Sequence, residues 1–332
     1  MRFSLSRWRL LLLAVITACA VTLLTTTEAL AAEPGESNQW TGERENGIPA
    51  QAGGDIQEAR NPNTGQLVQI WRGWSDNSIY VSLNNNQVRL WPAPSGGTRP
   101  QTLSNPQIVF NGGYWWAFHT GVDRRVYYSR IAVNDGVLSL GSWYRIPNEV
   151  ETPNNLSVAV ASLPNNGWYL TYRGASSEEL WGIYYNGQNG QWDLPVTVPG
   201  ATSYSAPALA WSSYGQALVL VYRGLDDRVN VRRQHYGNPR WTDSEILNGV
   251  TTDAQPAVAF ANNGFGQVAV RRPDTRLSLT TINEVNGYAG WSNEINGFTA
   301  RYGPVLVASL AAIYLIATSG NGYVYWKQSR QF

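Results

Sequence analysis

Two landmarks recur along the chain with a shared period near fifty residues, and this repetition limits the possible folds more than any composition value does. The first is a dipeptide step at Arg72-Gly73, Thr120-Gly121, Arg173-Gly174, Arg223-Gly224, Arg272-Pro273 and Ser319-Gly320, with spacings of 48, 53, 50, 49 and 47 residues. The second is a tryptophan at positions 40, 91, 143, 192, 241 and 291, with spacings of 51, 52, 49, 49 and 50. Two independent markers keep one period and both count six, which is the signature of a repeat architecture. Each copy holds four short runs rich in Val, Leu, Tyr and Trp. In the clearest, Pro207-Ala-Leu-Ala-Trp211 is followed by Ala217-Leu-Val-Leu-Val-Tyr-Arg-Gly224, then Val229-Asn-Val-Arg-Arg233, then a short segment carrying Trp241. Gly, Asn and Asp separate the runs, as in a four-stranded meander.

The first Trp precedes the first Arg-Gly, and no Trp follows Ser319-Gly320 in register. One copy is therefore split between the two ends of the chain. The expectation is an all-β, six-bladed β-propeller of four-stranded antiparallel blades, in which an N-terminal strand around Trp40 closes the last blade. Closure removes the exposed edges that an open array would present. The second runs of the copies, such as Ala217–Tyr222 and Ile313–Thr318, are almost continuously apolar. A strand of that kind needs cover on both faces, which radially stacked blades provide.

Residues 1–31 are expected to be a signal peptide, with residues 32–332 forming the propeller. Arg2, Arg7 and Arg9 precede an apolar run from Leu10 to Leu24, and Ala29-Leu30-Ala31 supplies the small residues of a cleavage site. The expected location is extracellular. The alternative is a lipoprotein acylated at Cys19, since Ile16-Thr17-Ala18-Cys19 loosely matches a lipoprotein box. Cys19 is the only cysteine, so cleavage after Ala31 leaves a disulfide-free domain. The formal net charge is +1 and Lys327 is the only lysine, which argues against bulk attraction to nucleic acid or an anionic membrane. No later segment has the length of a membrane span.

The pattern Pro-Ala-Leu-Ala, Leu-Val-Tyr-Arg-Gly, Asp-Asp-Arg and a closing Trp resembles bacterial propeller lectins of the PLL type. It is similar, more loosely, to the six-bladed fungal fucose-binding lectins. The resemblance covers Trp40 to Phe332 and is clearest from Leu156 to Trp291. PLL-type lectins have seven blades where this chain counts six. The fungal lectins use a repeated Arg-Glu-aromatic sugar site, and no Glu recurs in register here. The resemblance implies monosaccharide binding at sites repeated between blades, with glycans or glycoconjugates on a cell surface as partners and no cofactor.

Three sets of residues are candidates for sugar contacts. Arg72, Arg173, Arg223 and Arg272 end second strands, where a fixed guanidinium suits vicinal hydroxyls; the alternative is that they bond loop carbonyls or a neighbouring Asp. Asp76, Asp123, Asp226 and Asp274 lie in the following turns, as does Asp227, with Asn321 in the sixth copy. Such acids accept from hydroxyls but also fold tight turns through their own backbone. Tyr80, Tyr127, Trp181 and Tyr325 begin third strands, where a ring offers a surface to a pyranose or packs between blades. Positions 230 and 278 are Asn and Ser, so the copies are unequal. The repeated tryptophans are expected to be structural.

Catalytic signals are weak. His119 and His235 have no motif context, and no Ser-x-Asp-x-Gly-x-Thr-Trp box appears, the nearest being Asn189-Gly190-Gln191-Trp192. Glu178, Glu179, Glu245 and Glu294 give no reason to pair as glycosidase carboxylates. The sequence points first to a secreted carbohydrate-binding propeller. The alternatives are a protein-interaction or targeting subunit of a larger secreted, toxin-like assembly and a sialidase-like hydrolase. No His/Cys metal cluster is present, and a central-channel cation held by backbone oxygens stays open.

Overall fold

The structure, a computed structural model, describes residues 52–84, 87–94, 97–283, 287–292, 299–308, 312–319 and 324–330. The described residues are all β, with no helix, and build six antiparallel sheets in chain order. Blade 1 runs Gln57–Arg60, Leu67–Arg72, Ile79–Leu83, Gln87–Leu90. Blades 2 to 5 repeat that meander, beginning at Gln107–Asn111, Ala159–Ser162, Ala208–Ser212 and Ala257–Phe260. The sixth sheet has three described strands, Val305–Ala308, Ala312–Thr318 and Val324–Arg330. The fold is a β-propeller of four-stranded blades, five of them complete. The segment around Trp40, expected to supply a further strand, lies outside the described residues, as do residues 1–31.

The first strand of every sheet faces one axis. Together the six inner strands line a central channel of about 300 Å³. The second strand of each sheet is hydrogen-bonded on both edges and covered on both faces. Ala217, Leu218, Val219, Leu220, Val221 and Tyr222 are all buried in a single run. At about 1.5–3 kcal/mol for each large aliphatic removed from water, this layer dominates the stability of a blade.

The apolar clusters lie at the seams between sheets rather than inside them. One joins blades 1 and 2, through Val68, Ile70 and Val81 against Trp115, Ala117 and Ile131. Others fill the seams between blades 2 and 3, 3 and 4, 4 and 5, and blade 5 and the sixth sheet. The repeated tryptophans serve these seams. Trp143 of blade 2 packs on Trp91 of blade 1 at 4.4 Å, Trp192 on Tyr128 at 5.6 Å and Trp241 on Tyr169 at 5.9 Å. Each reaches back to the preceding blade, as expected of structural residues. Their placement differs from the expected fourth strand in detail. Trp91 follows the outer strand, Trp241 precedes Glu245–Thr251, and Trp143 sits where the outer edge of blade 2 breaks into Val137–Leu140 and Tyr144–Arg145. A large ring turned into a seam interrupts edge pairing locally.

Candidate functional site

The antiparallel meander brings three features of every blade to one side of the ring. These are the end of the second strand, the tight turn after it, and the connector that enters the next blade. Most of the sequence candidates therefore share this connector face.

The turn acids fold their own turns. Asp76, Asp123, Asp226 and Asp274 each accept, through Oδ1, the backbone N–H two residues on, at 3.1–3.2 Å. The residue between is left-handed: Asn77 at φ 54°, Arg124 at 70°, Asp227 at 62° and Thr275 at 68°. In blades 1 and 2 the second carboxylate oxygen accepts the hydroxyl of the third-strand tyrosine, Tyr80 at 3.0 Å and Tyr127 at 2.7 Å. Burial opposes ionisation of Asp76, but hydrogen bonds from Ser78 and Tyr80 outweigh it and hold the carboxyl below its usual range. Burial and the bond to Asp123 together raise the Tyr127 phenol.

The glycine of the Arg-Gly step lies beneath this pair. A Cβ on Gly73 would stand 2.2 Å from Asp76 Oδ1 and 2.7 Å from the Tyr80 ring; on Gly121 it would meet Asp123 Oδ1 at 2.5 Å and the Tyr127 ring at 2.9 Å. The recurring glycine is a steric consequence of acid and aromatic packing over one backbone atom. In blade 5 the third strand carries small Ser278 instead, and Arg272 occupies the glycine position, its N–H donating to Arg276 O as Gly224 N–H does to Arg228 O.

That register corrects one sequence assignment. The equivalent of Arg223, which faces Val229, is Arg271, which faces Leu277; Arg272 stands one residue further on. The Pro after Arg272 mimics the glycine step in sequence and shifts the alignment by one. Arg272 pairs with Asp274 at 3.2 Å.

The second-strand arginines follow the reading in which they bond connectors. Arg223 donates from Nε to Asp227 at 2.8 Å and from Nη1 to the Asp253 carbonyl, entering blade 5, at 2.9 Å. Arg271 donates to the Asp253 carboxylate at 2.8 Å and to the Arg301 carbonyl of the next connector. Arg72 donates to Asn77 at 3.0 Å and to the Gly53 carbonyl. Thr120, the residue that breaks the pattern, makes the same kind of link with its hydroxyl, to Leu156 O at 2.9 Å. Arg173 lies 3.7 Å from Glu178. Of the third-strand aromatics, Tyr80 stacks on Trp71 and Trp181 packs into the seam between blades 2 and 3 beside Gly174. Tyr325 is opposite Ala317 in the sixth sheet. His119 is buried between Tyr127 and Trp143, and burial pushes its pKa down to about 4, so it is neutral at pH 7.

The opposite face holds a different feature, which the repeat pattern did not reveal. A cleft of about 390 Å³ opens between blades 3 and 4. Its walls are the rings of Tyr169, Tyr184, Trp211 and Tyr236, with Asp193 and Gln234 among its polar groups. Tyr236, 56 % exposed, meets Trp211 edge to face at 5.9 Å. Exposed His235 also lines it. Gly182 leaves room for the Tyr169 ring, since a Cβ there would fall 2.3 Å from the phenol oxygen. Trp211 shares its register with Phe110 and Phe260, but Tyr236 has no aromatic counterpart, so periodicity does not single out the set. The available signal was local, an aromatic residue in the turn Tyr236-Gly237.

No protein-family model matches the chain, and no curated protein matches it in sequence. Solved structures do match in fold. AofleA from Arthrobotrys oligospora superposes with a TM-score of 0.65 at 9 % identity, over 84 % of each chain. A variant of the Aleuria aurantia lectin in complex with Fucα1-6GlcNAc matches at TM-score 0.61 and 9 % identity, over 82 % of this chain and 91 % of the other. A Hadza microbial sialidase matches at 0.59 and 11 %, over 83 % of this chain and 65 % of the other. The similarity to lectin propellers therefore holds at the level of the fold.

Proposed function

We propose that this chain is a secreted, carbohydrate-binding propeller without catalytic activity. The observation that carries the reading is the cleft between blades 3 and 4. Its 390 Å³ falls in the range of small-molecule sites, about 300–1,000 Å³. Ring faces from Trp211 and Tyr236 suit the C–H face of a pyranose, and Asp193 and Gln234 suit its hydroxyls. The lectin structures share the fold, and the Aleuria complex carries a fucoside; a fucose-containing glycan is accordingly the first ligand to try.

The connector-face residues form the second part of the proposal. Arg72, Arg173, Arg223 and Arg272, the four turn acids, and Tyr80, Tyr127 and Trp181 repeat a polar and aromatic pattern around the ring, and Tyr325 holds the matching register position in the sixth sheet. Sugar contact there would share groups already bonded within the protein, so we place these sites below the cleft in affinity. Several weak sites on one ring still give avidity on a glycan-coated surface. The ring is proposed to have six blades, with the strand around Trp40 completing the sixth sheet after removal of residues 1–31.

A glycan array probed with the full mature chain tests the reading. Binding to a defined glycan class is expected, and Trp211→Ala combined with Tyr236→Ala is expected to reduce it at least tenfold. A silent array from folded protein would overturn the proposal. Turnover of a chromogenic sialoside or fucoside would favour the hydrolase reading, which the sialidase neighbour supports at the level of the fold.

A further inference from the structure

Six connectors converge on the axis at the connector face. The residues two places before the inner strands are Asp55, Asn105, Ser157, Ala206, Gln255 and Gly303, and all six line one cavity of about 260 Å³. Equivalent positions in a ring thus meet around a single space. Only one of the six is ionisable, and it is fully buried. Asp55 accepts from Asn105 Nδ2 at 2.9 Å through Oδ2, and its backbone N–H donates to Asn105 Oδ1 at 3.2 Å. Its other oxygen, Oδ1, has no partner.

Two guanidiniums border the same cavity, Arg72 and Arg271. Arg271 is neutralised by Asp253. Arg72 is not: it bonds the neutral Asn77 amide and Gly53 carbonyl, its Nε is buried without a partner, and no carboxylate pairs with it among the described residues. Arg72 is half-buried, so its charge is only partly solvated, and a buried polar atom such as its Nε is costly without a hydrogen bond. The cavity thus presents an unpaired positive charge and a carboxyl oxygen awaiting a partner, with Ser157 also in its lining.

We propose that this axial cavity binds a small oxyanion, seated between Arg72 and the Asp55–Asn105 pair. The anion accepts from the guanidinium and from the protonated Asp55 carboxyl. The protonation state fits this role, because burial pushes Asp55 up to about 8, against the opposing pull of Arg271 and the Asn105 hydrogen bond. Tyr302, the other titratable group at the cavity, is raised first by burial and stays neutral. Below about pH 8 the walls therefore carry no net negative charge; above it, an ionised Asp55 repels the ligand. The site is independent of the glycan-binding cleft, which lies on the opposite face.

Calorimetric titration of the full mature chain tests this, with sodium sulfate as probe, sodium chloride as the ionic-strength control, and glucuronate as a second arm. Sulfate keeps its charge across the range, so any pH effect belongs to the protein. Binding at pH 6.5 is expected to weaken at least tenfold at pH 9.5. Asp55→Asn, which keeps a donor, should bind at both pH values alike, and Arg72→Gln should lose binding while melting as a folded protein. Tighter binding of glucuronate identifies an acidic sugar as the source of the anion; tighter binding of sulfate identifies a free inorganic ion. No heat from either probe, or equal binding by wild type at both pH values, overturns the proposal whether or not Arg72→Gln folds. So does binding of calcium that strengthens with pH, since that assigns the cavity to a cation.

Discussion

The seam between blades 2 and 3 and the seam between the sixth sheet and blade 1 are built on different principles. The first is continuous apolar packing: Phe118, Val126, Trp168, Leu170 and Ile183 form one cluster, and Trp168 stacks on Tyr185 at 4.2 Å and meets Trp116 at 4.5 Å. Among the described residues the second shows two separate clusters, Ala52, Ile56 and Trp71 on blade 1 and Val305, Val307 and Ile316 on the sixth sheet. Cation–aromatic contacts bridge them, Arg60 over Tyr314 at 4.7 Å and Arg301 over Trp74 at 4.1 Å. A seam held by burial resists salt and pH, whereas the cation–aromatic contacts among the described residues of the second are sensitive to both. The difference teaches that equivalent seams of one ring can be held by apolar burial in one place and by cation–aromatic contacts in another.

The largest expected effect comes from starting the chain at Gln51, which removes the segment around Trp40. If that segment completes the sixth sheet, thermal unfolding followed by circular dichroism should fall by about 10 °C or more, corresponding to a loss of at least ~3 kcal/mol in a domain of this size. An unchanged melt would break the closure account. Next, Trp168→Ala in the packed seam should cost about 3–5 kcal/mol, whereas Ile316→Ala at the closing seam should sit near the low end of about 2–5 kcal/mol. Chemical denaturation of the two variants ranks the seams directly.

Stability should also depend on pH through two groups of opposite sign. Asp55, raised from 3.8 to about 8, favours the folded state when protonated, so its contribution is full below pH 4 and is lost as pH rises towards 8. His119, lowered from 6.5 to about 4, stabilises the fold when neutral, so that contribution is lost as pH falls from 6.5 towards 4. Asp55→Asn should flatten the slope between pH 6.5 and 8 and leave the acid limb in place. A smaller contrast concerns the Arg-Gly step. Gly121→Ala should cost about 1–3 kcal/mol by overpacking against Asp123 and Tyr127, while Arg272→Ala at the equivalent place in blade 5 should stay within roughly 1 kcal/mol. Smallest of all, Arg301→Ala should cost about 0.5–1 kcal/mol. Equal costs for Gly121→Ala and Arg272→Ala would contradict the steric reading of the glycine.

The blade meander was legible because it is written by local chemistry repeated six times. Continuous apolar runs such as Ala217–Tyr222 demanded cover on both faces, and Gly, Asn and Asp marked the turns. The register of blade 5 was not, because Arg271-Arg272-Pro273 offers two arginines and a proline where other copies have Arg-Gly, and only backbone hydrogen bonds show which arginine ends the strand. The connector-face candidates were found as a set, but their engagement with one another was not, since Arg223 reaching Asp253 is a contact across thirty residues of chain. The cleft and the axial cavity were invisible for a different reason. Trp211 shares its place with Phe110 and Phe260 while Tyr236 has no aromatic counterpart, and Asp55 and Asn105 are equivalent positions filled by different residues, so neither pair stands out by period. Regularity revealed the scaffold and concealed the places where single blades depart from it.

The most direct test of the account is a crystal structure of the mature chain grown with the glycan that gives the strongest array signal. The expected result is sugar density in the cleft between blades 3 and 4, with a pyranose face on Trp211 or Tyr236 and hydroxyls near Asp193 or Gln234. Density confined to the connector face, over Asp123 and Tyr127 or their equivalents, would contradict the placement of the principal site.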